Sequence, residues 1–322
     1  MEKAEYMRLK AQLNFDRPLW VTFAVLATDL ALFILAVRLA MTSHWPIFVL
    51  SQALLAVIYF HHFAILHEAG HGNLYKQRWV NTLIGHYASL FCFLPYFSWK
   101  YIHHEHHTWV GNVDRDPTMK NLKKYQEIGN VPPYADVVWR GWIPIPAFMQ
   151  HFVLWFYPIR LWGYGPSAKE KFYRSLGSVL WLAGCYAVAF TLLPTVFTWS
   201  HFWLSLIFYL LLVEIINFPH HLKMPVMTEQ TPTKVLPPWK QYLATRSCNY
   251  PYGLSELLCL NFNLHTEHHF FPNLPWFRLK TVRKHIKPTL GENYRELQGI
   301  GWNIENRKKP AREIFASREL ME

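Results

Sequence analysis

Histidine is the residue type in this chain whose spacing could do chemistry. Eighteen occur among 322 residues, and most fall into short clusters. The first is His67-Glu68-Ala69-Gly70-His71, the second His103-His104-Glu105-His106-His107, the third His265-Thr266-Glu267-His268-His269. A fourth element, Asn217-Phe218-Pro219-His220-His221, falls between the second and third. On a helix, positions i, i+3 and i+4 share one face. His67 and His71 therefore point together, as do His103, His106 and His107, and likewise His265, His268 and His269. Asn217 and His221 share a face if Pro219 leaves that turn helical. His104 falls off the face of its cluster, and His220 off that of His221. At this histidine frequency an HxxHH pattern arises by chance about 0.06 times per chain. Two of them beside an HxxxH and an NxxxH are not accidents of surface composition.

His67, His71, His103, His106, His107, His221, His265, His268 and His269 make nine candidate imidazole donors. That exceeds what one metal ion binds and suits two. Imidazole accepts iron, zinc, copper or nickel, so the donor type does not choose the metal. Glu68, Glu105 and Glu267 lie one in each cluster, and Asp114 and Asp116 follow the second. Ligating imidazoles commonly donate their far N–H to a carboxylate, and these five acids are expected in that role. His61 and His62, about a turn before the first cluster, are weaker candidates for the same surroundings. A rival motif is present too. His67-Glu68-x-x-His71 is the pattern of a zinc metalloprotease with Glu68 as general base, but that reading leaves the second and third clusters without a task. Cys92, Cys185, Cys248 and Cys259 show no CxxC spacing and indicate neither a disulfide framework nor a cysteine-bound cluster.

The elements that must position these donors are mostly apolar. About 20 apolar residues cross a bilayer core, and four stretches qualify: Leu19 to Met41, Trp45 to Leu66, Leu176 to Phe197 and Trp199 to Ile216. Short turns, Thr42 to His44 and the region of Thr198, join them into two helical hairpins. Neither turn carries Lys or Arg, whereas the long segments do, which places the N-terminus, the middle segment and the C-terminal segment in the cytoplasm. Ile143 to Trp162 is apolar but contains Pro144, Pro146, Pro158, His151 and Arg160, so an interfacial segment is expected there. Leu83 to Phe97 is too short to cross and is expected to be a second one. The tail from about Asn306 is charged and is expected to be loosely ordered. The resulting fold is an all-α membrane protein: four transmembrane helices in two hairpins, interfacial helices, and a cytoplasmic helical cap holding a di-metal site. Its parts are an N-terminal segment (1–18), a first hairpin (19–66), a segment with the first two histidine clusters (67–175), a second hairpin (176–216) and a C-terminal segment with the third (217–322).

Bulk composition agrees. Hydrophobic residues make up 52% and aromatics 17% of the chain, yet mean hydropathy is only +0.02, so greasy and polar stretches alternate. The net charge of +11 suits an anionic membrane surface or an acidic protein partner; with spans present, nucleic acid is not expected. The mixed-charge first 17 residues do not read as a cleavable signal.

The order HxxxH, HxxHH, HxxHH, with one hairpin before the first cluster and another before the third, resembles the integral-membrane fatty acid desaturase superfamily. Arg78-Trp79-Val80-Asn81, Ile84-Gly85-His86, Pro95 to Tyr101, Asp114-Arg115-Asp116 and Ile286 to Gly291 are similar to the Δ12 (omega-6) acyl-lipid desaturases. The short C-terminal region and the wording of Asn217 to His221 depart from that group. The resemblance implies two iron ions on the nine imidazoles, with Asn217 holding one through a water. It implies O2 as co-substrate and hydrogen removal from an unactivated methylene. The fatty acyl substrate would be linked to phospholipid, CoA or acyl carrier protein and would lie in a narrow apolar tunnel. No fused cytochrome b5 motif and no ferredoxin cysteines are present, so electrons are expected from a separate donor such as ferredoxin or cytochrome b5. The same machinery serves hydroxylases, acetylenases, ketolases and terminal-alkene-forming enzymes, which remain alternatives.

Overall fold

The computed structural model describes residues 1–120, 131–157, 167–231, 235–251, 253–316 and 319–321. The chain divides into two compact units. One, the membrane unit, comprises Arg17–Tyr101 and Ala147–Val213; the other, the histidine unit, comprises Met1–Asp16, Ile102–Pro146 and Glu214–Glu322.

In chain order the helices are α1 (Lys3–Gln12), α2 (Leu19–Ala40), α3 (Trp45–His71), α4 (Arg78–Cys92), α5 (Tyr96–Trp109), α6 (Tyr134–Arg140), α7 (Ile145–Phe148, continued by a π-helical turn Met149–Leu154), α8 (Ala168–Leu192) and α9 (Trp199–His221). After α9 come a 3-10 turn (Pro238–Leu243), strand β1 (Ser247–Asn249), α10 (Leu254–Leu257), α11 (His265–Phe270), α12 (Leu279–Leu290), strand β2 (Glu296–Gln298), α13 (Gly299–Arg307) and α14 (Ala311–Phe315).

Four helices are long and apolar enough to cross a membrane: α2, α3, α8 and α9. The share buried within the protein separates them. In the apolar window of α3 67% of residues are buried, against 22% in α2 and 17% in α8, so α3 is the packed helix and the other two leave most of their apolar surface exposed. Polar side chains join the spans where apolar contact alone would leave their register free. Gln52 on α3 donates to the His201 carbonyl at 2.8 Å and accepts from the Ser205 amide at 3.0 Å on α9. Asp29 on α2 takes Nδ1 of His61 on α3 at 2.9 Å.

Span boundaries differ from the expectation. α3 and α9 run on through the histidines that follow them, and α8 starts at Ala168, eight residues before the expected Leu176. Hydropathy marks the apolar part of a helix and is blind to buried polar turns that continue it. The interfacial segment expected at Leu83 to Phe97 is two helices: α4 stops at Cys92, Phe93 takes a left-handed conformation (φ 58°), and α5 starts at Tyr96. Only Ile143 to Tyr157 of the other expected interfacial segment is described, and it holds the short α7 and its π turn; Pro158 and Arg160 lie outside the described residues.

In the histidine unit, β1 and β2 form a parallel pair with Ser247 opposite Glu296. α12 turns Leu279, Val282, Ile286 and Leu290 into a core shared with Phe270 and Phe271, which α1 covers with Tyr6 and Leu9. Of the tail expected to be loose, the described stretch from Asn306 to Phe315 is packed. Arg307 is buried and paired with the buried Glu214, and its guanidinium lies 3.8 Å from the Trp139 ring centre. Counting charge along the tail misses this, because the partner acid lies 93 residues away on α9.

Candidate metal centre

The end of α3 bearing the first cluster is braced from two sides within the membrane unit. Tyr96 donates to the Ala69 carbonyl at 3.0 Å, and the Trp99 ring lies 5.5 Å from the His67 ring. Both contacts require glycine. A Cβ on Gly70 would stand 2.6 Å from Trp99, and one on Gly85 would stand 2.2 Å from Tyr96. The His67 and His71 rings are 4.9 Å apart. His67 Nδ1 donates to Glu68 Oε1 at 3.3 Å, and Asn73 donates to Oε2 at 3.3 Å.

Two donor sets form within the histidine unit. One ring nitrogen each from His106, His221, His265 and His269 lies within 4.8 Å of the others, and His103, His107 and His268 are gathered to the same tolerance. In the first set His265 Nε2 stands 2.7 Å from His221 Nε2 and 3.1 Å from His269 Nε2. In the second, His107 Nε2 stands 3.0 Å from both His103 Nε2 and His268 Nε2.

The outward nitrogens explain the inward ones. His106 Nδ1 donates to Asp116 Oδ2 at 2.8 Å, while Thr118 donates to the other oxygen of that buried carboxylate at 2.7 Å. His221 Nδ1 donates to the Ala244 carbonyl at 3.2 Å, and His269 Nδ1 to Gln241 Oε1 at 2.8 Å. A neutral imidazole protonated at Nδ1 presents a lone pair at Nε2. Lone pairs therefore converge, and His265 Nε2 meets two other Nε2 atoms at once, an arrangement a shared cation stabilises. Burial, then crowding by neighbouring imidazoles, holds His265 and His269 well below the ordinary imidazole range, in the neutral form that binds metal. The residues fit a metal ion.

The remaining sequence candidates are placed as follows. His104 is exposed and Glu105 half-buried. His220 is buried, its ring stacked on His265 at 4.3 Å. Pro219 is accommodated inside α9, so half-buried Asn217 lies one turn before His221. Asp114 accepts the Glu229 amide at 2.7 Å. Glu267 departs from its expected role: its oxygens accept from the hydroxyls of Ser247 and Tyr294. It follows His265 by two positions, on the side of α11 away from the face that His265, His268 and His269 share. It anchors that helix to β1 and to Tyr294. Burial raises its pKa, and the two hydroxyls oppose the rise.

Sequence reasoning missed the strap from Pro238 to Ser247. Gln241 holds His269, the Ala244 carbonyl holds His221, and Ser247 holds Glu267. Arg246 caps the end of α9 through the carbonyls of Pro219 and Leu222. No histidine or repeat marks this stretch, and backbone carbonyl ligands leave no trace in residue type.

The Fatty acid desaturase family model matches residues 43–300. The chain belongs to the fatty acid desaturase family. The chain is 26% identical over 306 residues to a probable fatty acid desaturase, DES1, of Sorghum bicolor, an alignment covering 88% of this chain and 74% of that one. It is 27% identical over 277 residues to an sn-1 acyl-lipid omega-3 desaturase (ferredoxin) of Synechocystis, covering 78% and 69%. It is 26% identical over 267 residues to an sn-1 oleoyl-lipid 12-desaturase of Picosynechococcus, covering 75% and 69%. The desaturase family is one of oxidoreductases. Four apolar helices and this family make the chain a membrane protein.

Proposed function

We propose that this protein introduces a C=C bond into a lipid-linked fatty acyl chain, using O2, two irons and two electrons from a separate ferredoxin-like carrier. The observation that supports it most directly is the pair of imidazole sets, in one of which the outward N–H groups of His106, His221 and His269 are anchored and their lone pairs turned inward. Iron would be held by His106, His221, His265 and His269 in one position. In the other it would be held by His103, His107 and His268, with His67 and His71 completing the set and Asn217 contributing through water. When bound, the metal pair supplies the oxidising power to remove hydrogen from an unactivated methylene.

The chain's own residues do the rest. Asp116, Gln241 and the Ala244 carbonyl fix tautomers, so that neutral imidazoles leave the metal pair strongly cationic. Asp116 and Glu68 offset part of that charge. Aromatic-rich spans offer an apolar setting that holds an acyl chain and excludes water. The acyl-lipid and ferredoxin names of the relatives support a lipid-linked substrate and such a carrier. The charge pattern supports a topology with both termini and the histidines on the cytoplasmic side.

The test is metal analysis of the purified protein, followed by turnover on acyl lipids with reductant. His268→Ala and His106→Ala are expected to abolish turnover while the spans stay inserted. Full activity in either variant removes that residue from the site.

A further inference from the structure

The nine imidazoles account for the ligands, but not for what sets one donor group against the other. Gln241 is 4% exposed and touches both. Its Oε1 accepts from His269 Nδ1 at 2.8 Å. Its Nε2 donates to the backbone carbonyl of His107 at 2.8 Å and to that of Leu236 at 3.1 Å. His269 stands in one set, His107 in the other.

The amide can adopt only one orientation. Two carbonyl oxygens face the nitrogen end, and turning the amide over would press its own oxygen against both, so the oxygen end must face His269. His269 must then carry its proton on Nδ1 and offer its lone pair from Nε2. The backbone of Gln241 is fixed in turn, because Thr245 Oγ1 donates to its carbonyl at 3.0 Å. The 3-10 turn Pro238–Leu243 thus presents one side chain locked at each end of its amide.

We propose that Gln241 is a positioning residue that sets the tautomer of His269 and ties it to the backbone of His107, thereby holding the two metal positions in register. The proposal rests on the reading that both sets bind metal. Substitution alters metal binding in a specified pattern. Gln241→Met keeps the volume but cannot accept from His269. Gln241→Glu keeps the acceptor, now charged, and gives up the donor to the two carbonyls.

Cobalt(II) is the probe, because its visible absorption reports coordination in the absence of turnover. The wild type is expected to bind two equivalents per chain. In Q241M one of the two is expected to bind about 10- to 100-fold more weakly, with an altered absorption band, as for loss of an outer hydrogen-bond partner. Q241E is expected to recover only part of that affinity, because it restores the acceptor to His269 but turns its second oxygen toward the carbonyls of His107 and Leu236. Two cobalt ions bound to Q241M with wild-type affinity and spectrum overturn the role of Gln241 and leave the di-metal reading standing. Fewer than two in the wild type overturn the di-metal reading itself, and this proposal with it. Should Q241M fail to fold, Q241E decides: a carboxylate accepting the His269 N–H makes that imidazole more basic and shifts the band, and an unchanged band overturns the proposal.

Discussion

At the scale of single residues, the candidate ligand histidines are legible in the sequence because three side chains at i, i+3 and i+4 could serve one ion only from one helix face. What orients them is legible in part. Asp116 was identifiable as a nearby acid, and it holds His106 Nδ1 at 2.8 Å. Glu267 looked equivalent by composition, but its place on α11 turns it toward Ser247 and Tyr294. Gln241 and Ala244 carried no signal, since a lone amide and a main-chain carbonyl form no pattern. Asp116→Ala is therefore expected to weaken metal binding about 10- to 100-fold, by releasing the His106 tautomer. Glu267→Gln, which keeps an oxygen for one hydroxyl, is expected to leave metal affinity much nearer the wild type. Metal titration of the two variants checks the contrast, and equal losses would contradict it.

At the scale of elements, the two hairpins follow from apolar length, whereas their ends do not. Helices α3 and α9 continue past the apolar stretch to His71 and His221, because histidines at their ends remain compatible with helix. The break between α4 and α5 depends on tertiary packing: Phe93 turns the chain so that Tyr96 can reach the Ala69 carbonyl and Trp99 can pack on His67. That packing has no slack at Gly85, where an added Cβ would stand 2.2 Å from the buried Tyr96 ring. Gly85→Ala is expected to cost about 1–3 kcal/mol through overpacking, seen as a lower Tm in detergent and reduced activity. Gly184→Ala, where a Cβ meets nothing within 4 Å, is the control expected to retain both.

At the scale of the whole molecule, the histidine unit is assembled from three separated stretches of chain, so its donor sets unite residues as distant as His106 and His265. Sequence can argue such convergence from donor counts, but only folding brings the donors together, and it does so through contacts far apart along the chain. The membrane spans and the basic balance of +11 fit the proposed enzyme, which would meet its lipid within the bilayer. The decisive measurement is mass spectrometry of acyl lipids incubated with the purified, iron-loaded protein, ferredoxin and reductant, with and without O2. The account predicts an acyl chain that has lost two hydrogens, formed only when O2 is present. A chain that has gained an oxygen, or the same product formed without O2, would contradict it.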